Sequence, residues 1–154
     1  MKTRTIVSMF CFALLIACEK ENMSQFTAEN KDYTANFSFE TKSQSFVPNT
    51  KNMSIKIEGE GSYSFSNKGK FQDEIILNIS TGVADHKMEF TDNEGNKIFA
   101  SLNTQIGQIN ITGTTKITGG TGKFAKILGE STNSGPFIDA QGKGSWAENG
   151  KVTY

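Results

Sequence analysis

Apolar and polar side chains alternate one for one along most of this chain, a period that fits strands with one buried face. The pattern is cleanest over 54–65. There Ile55, Ile57, Gly59, Gly61, Tyr63 and Phe65 share one side, opposite Ser54, Lys56, Glu58, Glu60, Ser62 and Ser64. Tyr33, Ala35, Phe37 and Phe39 repeat it earlier. Ile75, Leu77 and Ile79 follow, then Met88 and Phe90, then Ile98, Ala100 and Leu102, then Ile109, Ile111, Gly113, Thr115 and Ile117. The last run places Ile138, Ala140, Gly142, Gly144 and Trp146 on one face, with Val152 and Tyr154 after a turn. Turn chemistry falls at Asn67-Lys68-Gly69, between Asp92 and Asn96, and at Glu148-Asn149-Gly150, where Gly and Asn supply the positive φ of tight hairpins. The stretch 41–53 breaks the alternation, contains Pro48, and is expected to be a loop. No segment carries a helical stripe. About eight short strands joined by hairpins predict an all-β domain, a closed antiparallel eight-stranded β-barrel. Closure hides the apolar face and removes open edges. A two-sheet β-sandwich is the alternative.

The N-terminus is of a different kind. Lys2 and Arg4 precede an apolar run from Ile6 to Ile16, and Leu15-Ile16-Ala17 leads into Cys18. The run is shorter than the ~20 residues that span a bilayer. A basic start, a short apolar middle and small residues before a cut describe a secretory signal. With Cys placed directly after the cut, it resembles a bacterial lipoprotein signal. That resemblance implies cleavage before Cys18, lipidation of Cys18, and anchoring in the cell envelope, most simply at the outer membrane. Residues 1–17 are then the signal, 18–32 a flexible tether and 33–154 the barrel domain.

Losing Lys2 and Arg4 from a chain with 16 basic and 16 acidic residues leaves a net charge of −2. A near-neutral domain without a basic cluster speaks against a nucleic-acid partner. The only cysteines are Cys11 and Cys18, so residues 33–154 hold no thiol for a disulfide, a metal or nucleophilic attack. Neither a metal cluster nor a cofactor motif is expected.

One segment carries a family likeness. Ile117-Thr118-Gly119-Gly120-Thr121-Gly122-Lys123-Phe124 ends one strand and turns on three glycines. It resembles the Gly-rich turn of dirigent proteins and of allene oxide cyclase-like barrels. The resemblance implies a closed eight-stranded barrel with an apolar central cavity. It does not carry over any working polar residue. A phosphate-cradling loop is the other reading of Gly119 to Lys123, but the Gly-Lys-Ser/Thr ending and the following helix are missing.

Gly59, Gly61, Gly113, Gly142 and Gly144 fall on the apolar side. Either they leave room for a ligand beside Tyr63, Phe65, Met88, Phe90 and Trp146, or bulky neighbours fill the gaps and the glycines let the sheet bend. Catalytic candidates are Tyr63, His86 and Glu130. Asp73 and Glu74 are adjacent, so a strand turns them to opposite faces. The functional expectation is a membrane-anchored barrel that binds an apolar small molecule or a partner without catalysis. The alternatives are a cyclase or isomerase acting on an apolar substrate in the barrel, and a structural or adhesive surface protein.

Overall fold

The computed structural model describes residues 29–107, 110–136 and 138–154. The lipidation site Cys18, the signal and most of the tether lie outside the described residues. Eight strands follow in order: β1 (Lys31–Phe46), β2 (Asn52–Tyr63), β3 (Lys68–Asn78), β4 (Val83–Asp92), β5 (Lys97–Ile106), β6 (Asn110–Gly120), β7 (Leu128–Pro136) and β8 (Lys143–Thr153). Each pairs antiparallel with the next, and β1 pairs with β8 from Lys31↔Val152 to Glu40↔Lys143. The sheet is therefore a closed barrel, not a sandwich. A single 3-10 turn (Gly122–Phe124) interrupts the strands.

The alternation places side chains as the sequence predicts along most strands. Three stretches differ. β1 runs on to Phe46 and β2 begins at Asn52, so the expected loop 41–53 shrinks to 47–51. A register shift between Thr41 and Ser43 accounts for the broken alternation, because a bulge reverses which side chains face in. Lys31 and Asp32, assigned to the tether, already pair with β8. The largest difference is at the C-terminus. Glu148-Asn149-Gly150 is not a turn: β8 passes straight through it, so Glu148 points inward between Trp146 and Val152. The real turn lies upstream, where Gly142 (φ 75°) and Asp139 reverse the chain and Ala140 is exposed. Ile79 falls just past β3 and is exposed, and Ile109 is not among the described residues.

The lumen has two halves. Around Tyr33, Tyr63, Phe90, Ile98 and Val152 it is solidly packed. Aromatic rings dominate this half: Phe37 meets Tyr63 edge-on at 5.3 Å, and Tyr63 meets Phe90 at 5.2 Å. Such contacts add about 0.5–1.5 kcal/mol each beyond area burial. Phe65 and Phe124 close this end, 6.1 Å apart. Inward glycines serve the packing: a Cβ on Gly61 would strike the Phe37 ring, one on Gly144 the Phe39 ring, and one on Gly69 the Phe90 ring. The gaps left by missing side chains are thus filled by phenylalanines from neighbouring strands. The other half, towards the loops 47–51 and 79–82 and the turn 138–142, is not filled.

Candidate functional site

At this mouth end the barrel encloses a cavity of about 90 Å³. At ~10–15 Å³ per water on such a measure, it has room for several waters or one small ring. Its walls are aliphatic and aromatic, including Phe39, Ile55, Leu77, Ile111 and Trp146. Its polar lining is Asp73, His86, Thr104, Asn133 and Ser145.

Asp73, His86 and Thr104 sit on three successive strands, β3, β4 and β5. Each has the inward parity of its strand, shared with Phe71 and Ile75, with Met88 and Phe90, and with Leu102. His86 Nδ1 lies 2.7 Å from Asp73 Oδ2, and His86 Nε2 lies 2.8 Å from Thr104 Oγ1. With Nδ1 carrying the proton to Asp73, Nε2 accepts from the Thr104 hydroxyl. Asp73 Oδ1 is buried and finds no hydrogen-bond partner among the described residues. The order carboxylate, imidazole, hydroxyl is that of a nucleophile relay. Thr104, however, sits mid-strand with Ala84 on one side and Gly113 on the other, so the ladders engage the local backbone N–H groups and leave none to hold an oxyanion. The arrangement can hold and pass a proton. It lacks the second half of an acyl-transfer site. Among the described residues, no three His, Cys, Asp or Glu side chains converge as metal ligands.

A second polar cluster lies deeper. Glu148 is buried and accepts from four donors: Thr115 Oγ1 at 2.9 Å, Trp146 Nε1 at 3.0 Å, Ser131 Oγ at 3.2 Å and Tyr33 Oη at 3.3 Å. Asn133 Nδ2 donates to Thr115 Oγ1 at 2.9 Å and extends the network towards the cavity. Burial pushes the Glu148 carboxyl above its ordinary pKa, and the four donors offset this only in part. Burial, with the nearby Glu148 charge, also raises the phenols of Tyr33 and Tyr63. Through Trp146 the cluster fixes one cavity wall. Glu148 therefore joins β8 to β1, β6 and β7, and supports the site without lining it.

The residues expected from sequence scatter. Of Tyr63, Phe65, Met88, Phe90 and Trp146, only Trp146 lines the cavity; Tyr63, Met88 and Phe90 are packed in the closed half, and Phe65 caps its end. Of the catalytic candidates, His86 reaches the cavity. Tyr63 is buried away from it, with its hydroxyl unpartnered among the described residues. Glu130 faces outward, beside Lys116 and Lys151 on the neighbouring strands. The sequence reading weighed Asp73 only as a pair with Glu74 and passed over Thr104, Asn133 and Glu148. Strand parity alone would have found Asp73, since it alternates with Phe71 and Ile75.

The glycine-rich turn is a clamp at the closed end. Asp92, buried at the end of β4, accepts backbone N–H groups of Glu94 and Asn96, each at 2.9 Å. Lys123 Nζ reaches Asp92 Oδ2 and Glu94 Oε2, both at 2.8 Å. Gly122 (φ 57°) lies against the Asn96 side chain, where a Cβ would collide with its Oδ1. The Thr121 hydroxyl accepts the Lys97 N–H at 3.0 Å, and Phe124 drops into the core. These contacts lock the β4–β5 hairpin to the β6–β7 connection. The Gly119–Phe124 segment stands at the opposite end of the barrel from the cavity.

Neither a family model nor a curated protein matches the chain. Among solved structures, the pterocarpan synthase dirigent protein superimposes with a TM-score of 0.54, covering 82% of this chain and 87% of that one at 18% identity. The barrel has the dirigent fold. At that identity the likeness extends to architecture and no further.

Proposed function

We propose that this protein is an envelope-tethered binding module whose dirigent-type barrel receives a small apolar molecule at its mouth. The observation that carries the reading is the division of the lumen into a packed aromatic half and an apolar cavity with a few polar groups, the usual make-up of a small-molecule site. At about 90 Å³ the cavity suits a ring or short chain rather than a large ligand. The N-terminal segment enters at Lys31, at the closed end. That end is opposite the mouth, so a tether towards Cys18 starts away from the cavity. Anchoring by several acyl chains is firm, since each buried methylene contributes about 0.8 kcal/mol.

Native mass spectrometry of protein extracted from its own membranes tests both parts. The expected species lacks residues 1–17, carries acyl mass on Cys18, and releases a small non-covalent occupant on activation. A full-length unacylated chain without any occupant would contradict the reading.

A second reading is a cyclase or isomerase, favoured by the Asp73–His86–Thr104 relay beside the cavity and by the pterocarpan synthase with the same fold. Barrels can catalyse cyclisation by holding a substrate in one reactive shape.

A further inference from the structure

Asp73 leaves half of its carboxylate unused. Oδ2 is held by His86 Nδ1, while Oδ1 is buried without a partner and the residue lines the cavity. Buried polar groups are almost always satisfied, and a carboxylate oxygen left bare costs at least as much as a lost hydrogen bond. No neighbouring donor reaches it: the Thr104 hydroxyl lies against His86, and Asn133 directs an amide hydrogen to Thr115. Among the described residues the buried charged side chains are Asp73, Asp92 and Glu148, all acidic. The aromatic rings of Trp146 and Phe39 line the same space.

From this juxtaposition we infer that the occupant of the cavity is a small apolar amine whose ammonium group meets Asp73 Oδ1. The inference rests on the binding reading above and names its ligand class. An ionised carboxylate only accepts, and an ammonium only donates, so the two match without residue. A hydroxyl matches less well, because it meets Asp73 Oδ1 as a neutral donor, without the charge assistance of an ammonium. The apolar walls take the ring or chain that carries the nitrogen.

The chain has a single tryptophan, and it lines the cavity, so intrinsic fluorescence reports on occupancy. Three probes of one ring size separate the possibilities: cyclohexylamine, cyclohexanol and methylcyclohexane, titrated at neutral pH into the full barrel. The expected result is binding of all three, with the amine tighter than the alcohol by about tenfold or more, as a charge-assisted hydrogen bond implies. Asp73→Asn should weaken the amine by at least a similar factor and change methylcyclohexane less than about twofold. The wild-type comparison stands even if the variant fails to fold. An amine no tighter than the alcohol, or an Asp73→Asn variant that keeps full amine affinity, overturns the inference and leaves the binding reading intact. If none of the three probes binds, both fall.

Discussion

Replacing Glu148 by Ala should leave the barrel largely unfolded under conditions where the wild type is native. Four buried donors, from Tyr33, Thr115, Ser131 and Trp146, would lose their common acceptor. Hydrogen bonds contribute about 0.5–1.5 kcal/mol each net, and each stranded buried donor costs about 1–3 kcal/mol in desolvation. Even with relaxation the loss is on the order of 4 kcal/mol, a large part of a domain's usual ~5–15 kcal/mol. Glu148→Gln keeps the shape and one acceptor, so its cost is smaller, about 1–2 kcal/mol. Urea denaturation checks both. The pH dependence has a definite sign. Glu148 has a raised pKa in the fold, so it binds its proton more tightly when folded than when unfolded. Its contribution is full below the ordinary glutamate value of 4.5 and is lost as pH rises through the raised one. The wild type's advantage over Glu148→Gln should therefore shrink from acid towards neutral pH. A constant difference would mean that the carboxyl is not desolvated.

Asp92→Ala is the second large effect, expected at about 3 kcal/mol. The carboxylate caps two backbone N–H groups, the Asn96 amide and the Lys123 ammonium at once. Burial pushes its pKa up, but Lys123 and the Asn96 and Glu94 donors outweigh this and bring it down to about 2. The sign is opposite to that of Glu148. Stability from Asp92 is present above the ordinary aspartate value of 3.8 and is lost as pH falls through about 2. Lys123→Met separates the ion pair from the turn. Lys123 is well exposed, so that variant should cost far less than Asp92→Ala. If Lys123→Met costs as much as Asp92→Ala, the clamp is electrostatic rather than a backbone cap. Both residues stand at the closed end, so neither folded variant should alter binding at the mouth.

Period-two alternation, cleanest in β2 and β6 and repeated along the chain, was enough to predict about eight strands, because no other element buries one side of every second residue. Closure into a barrel rather than a sandwich came from the need to hide edges and from the Gly-rich turn's resemblance. The site was harder to see. Asp73 was weighed only with Glu74: strand parity ruled out their acting as a pair, and the one of the two that turns inward was not followed to a partner on the next strand. Glu148 was hidden by Asn149-Gly150, a dipeptide that usually reverses the chain. Here Gly150 instead lies against Glu130 and Ser131 of β7, where a side chain would strike the neighbouring strand, and β8 stays extended. The inward glycines pointed to space, but the phenylalanines that fill it come from other strands. Which glycine faces which ring depends on register, and a single sequence does not encode register in local composition.

The division of the lumen can be tested by one spectrum. Isoleucine methyl resonances report both halves: Ile55, Ile75, Ile106 and Ile111 line the cavity, while Ile98, Ile117 and Ile127 are buried in the closed half. Saturating the isoleucine-methyl-labelled barrel with methylcyclohexane should shift the first group and leave the second in place. Unchanged spectra, or shifts centred on Ile98, Ile117 and Ile127, would contradict the account.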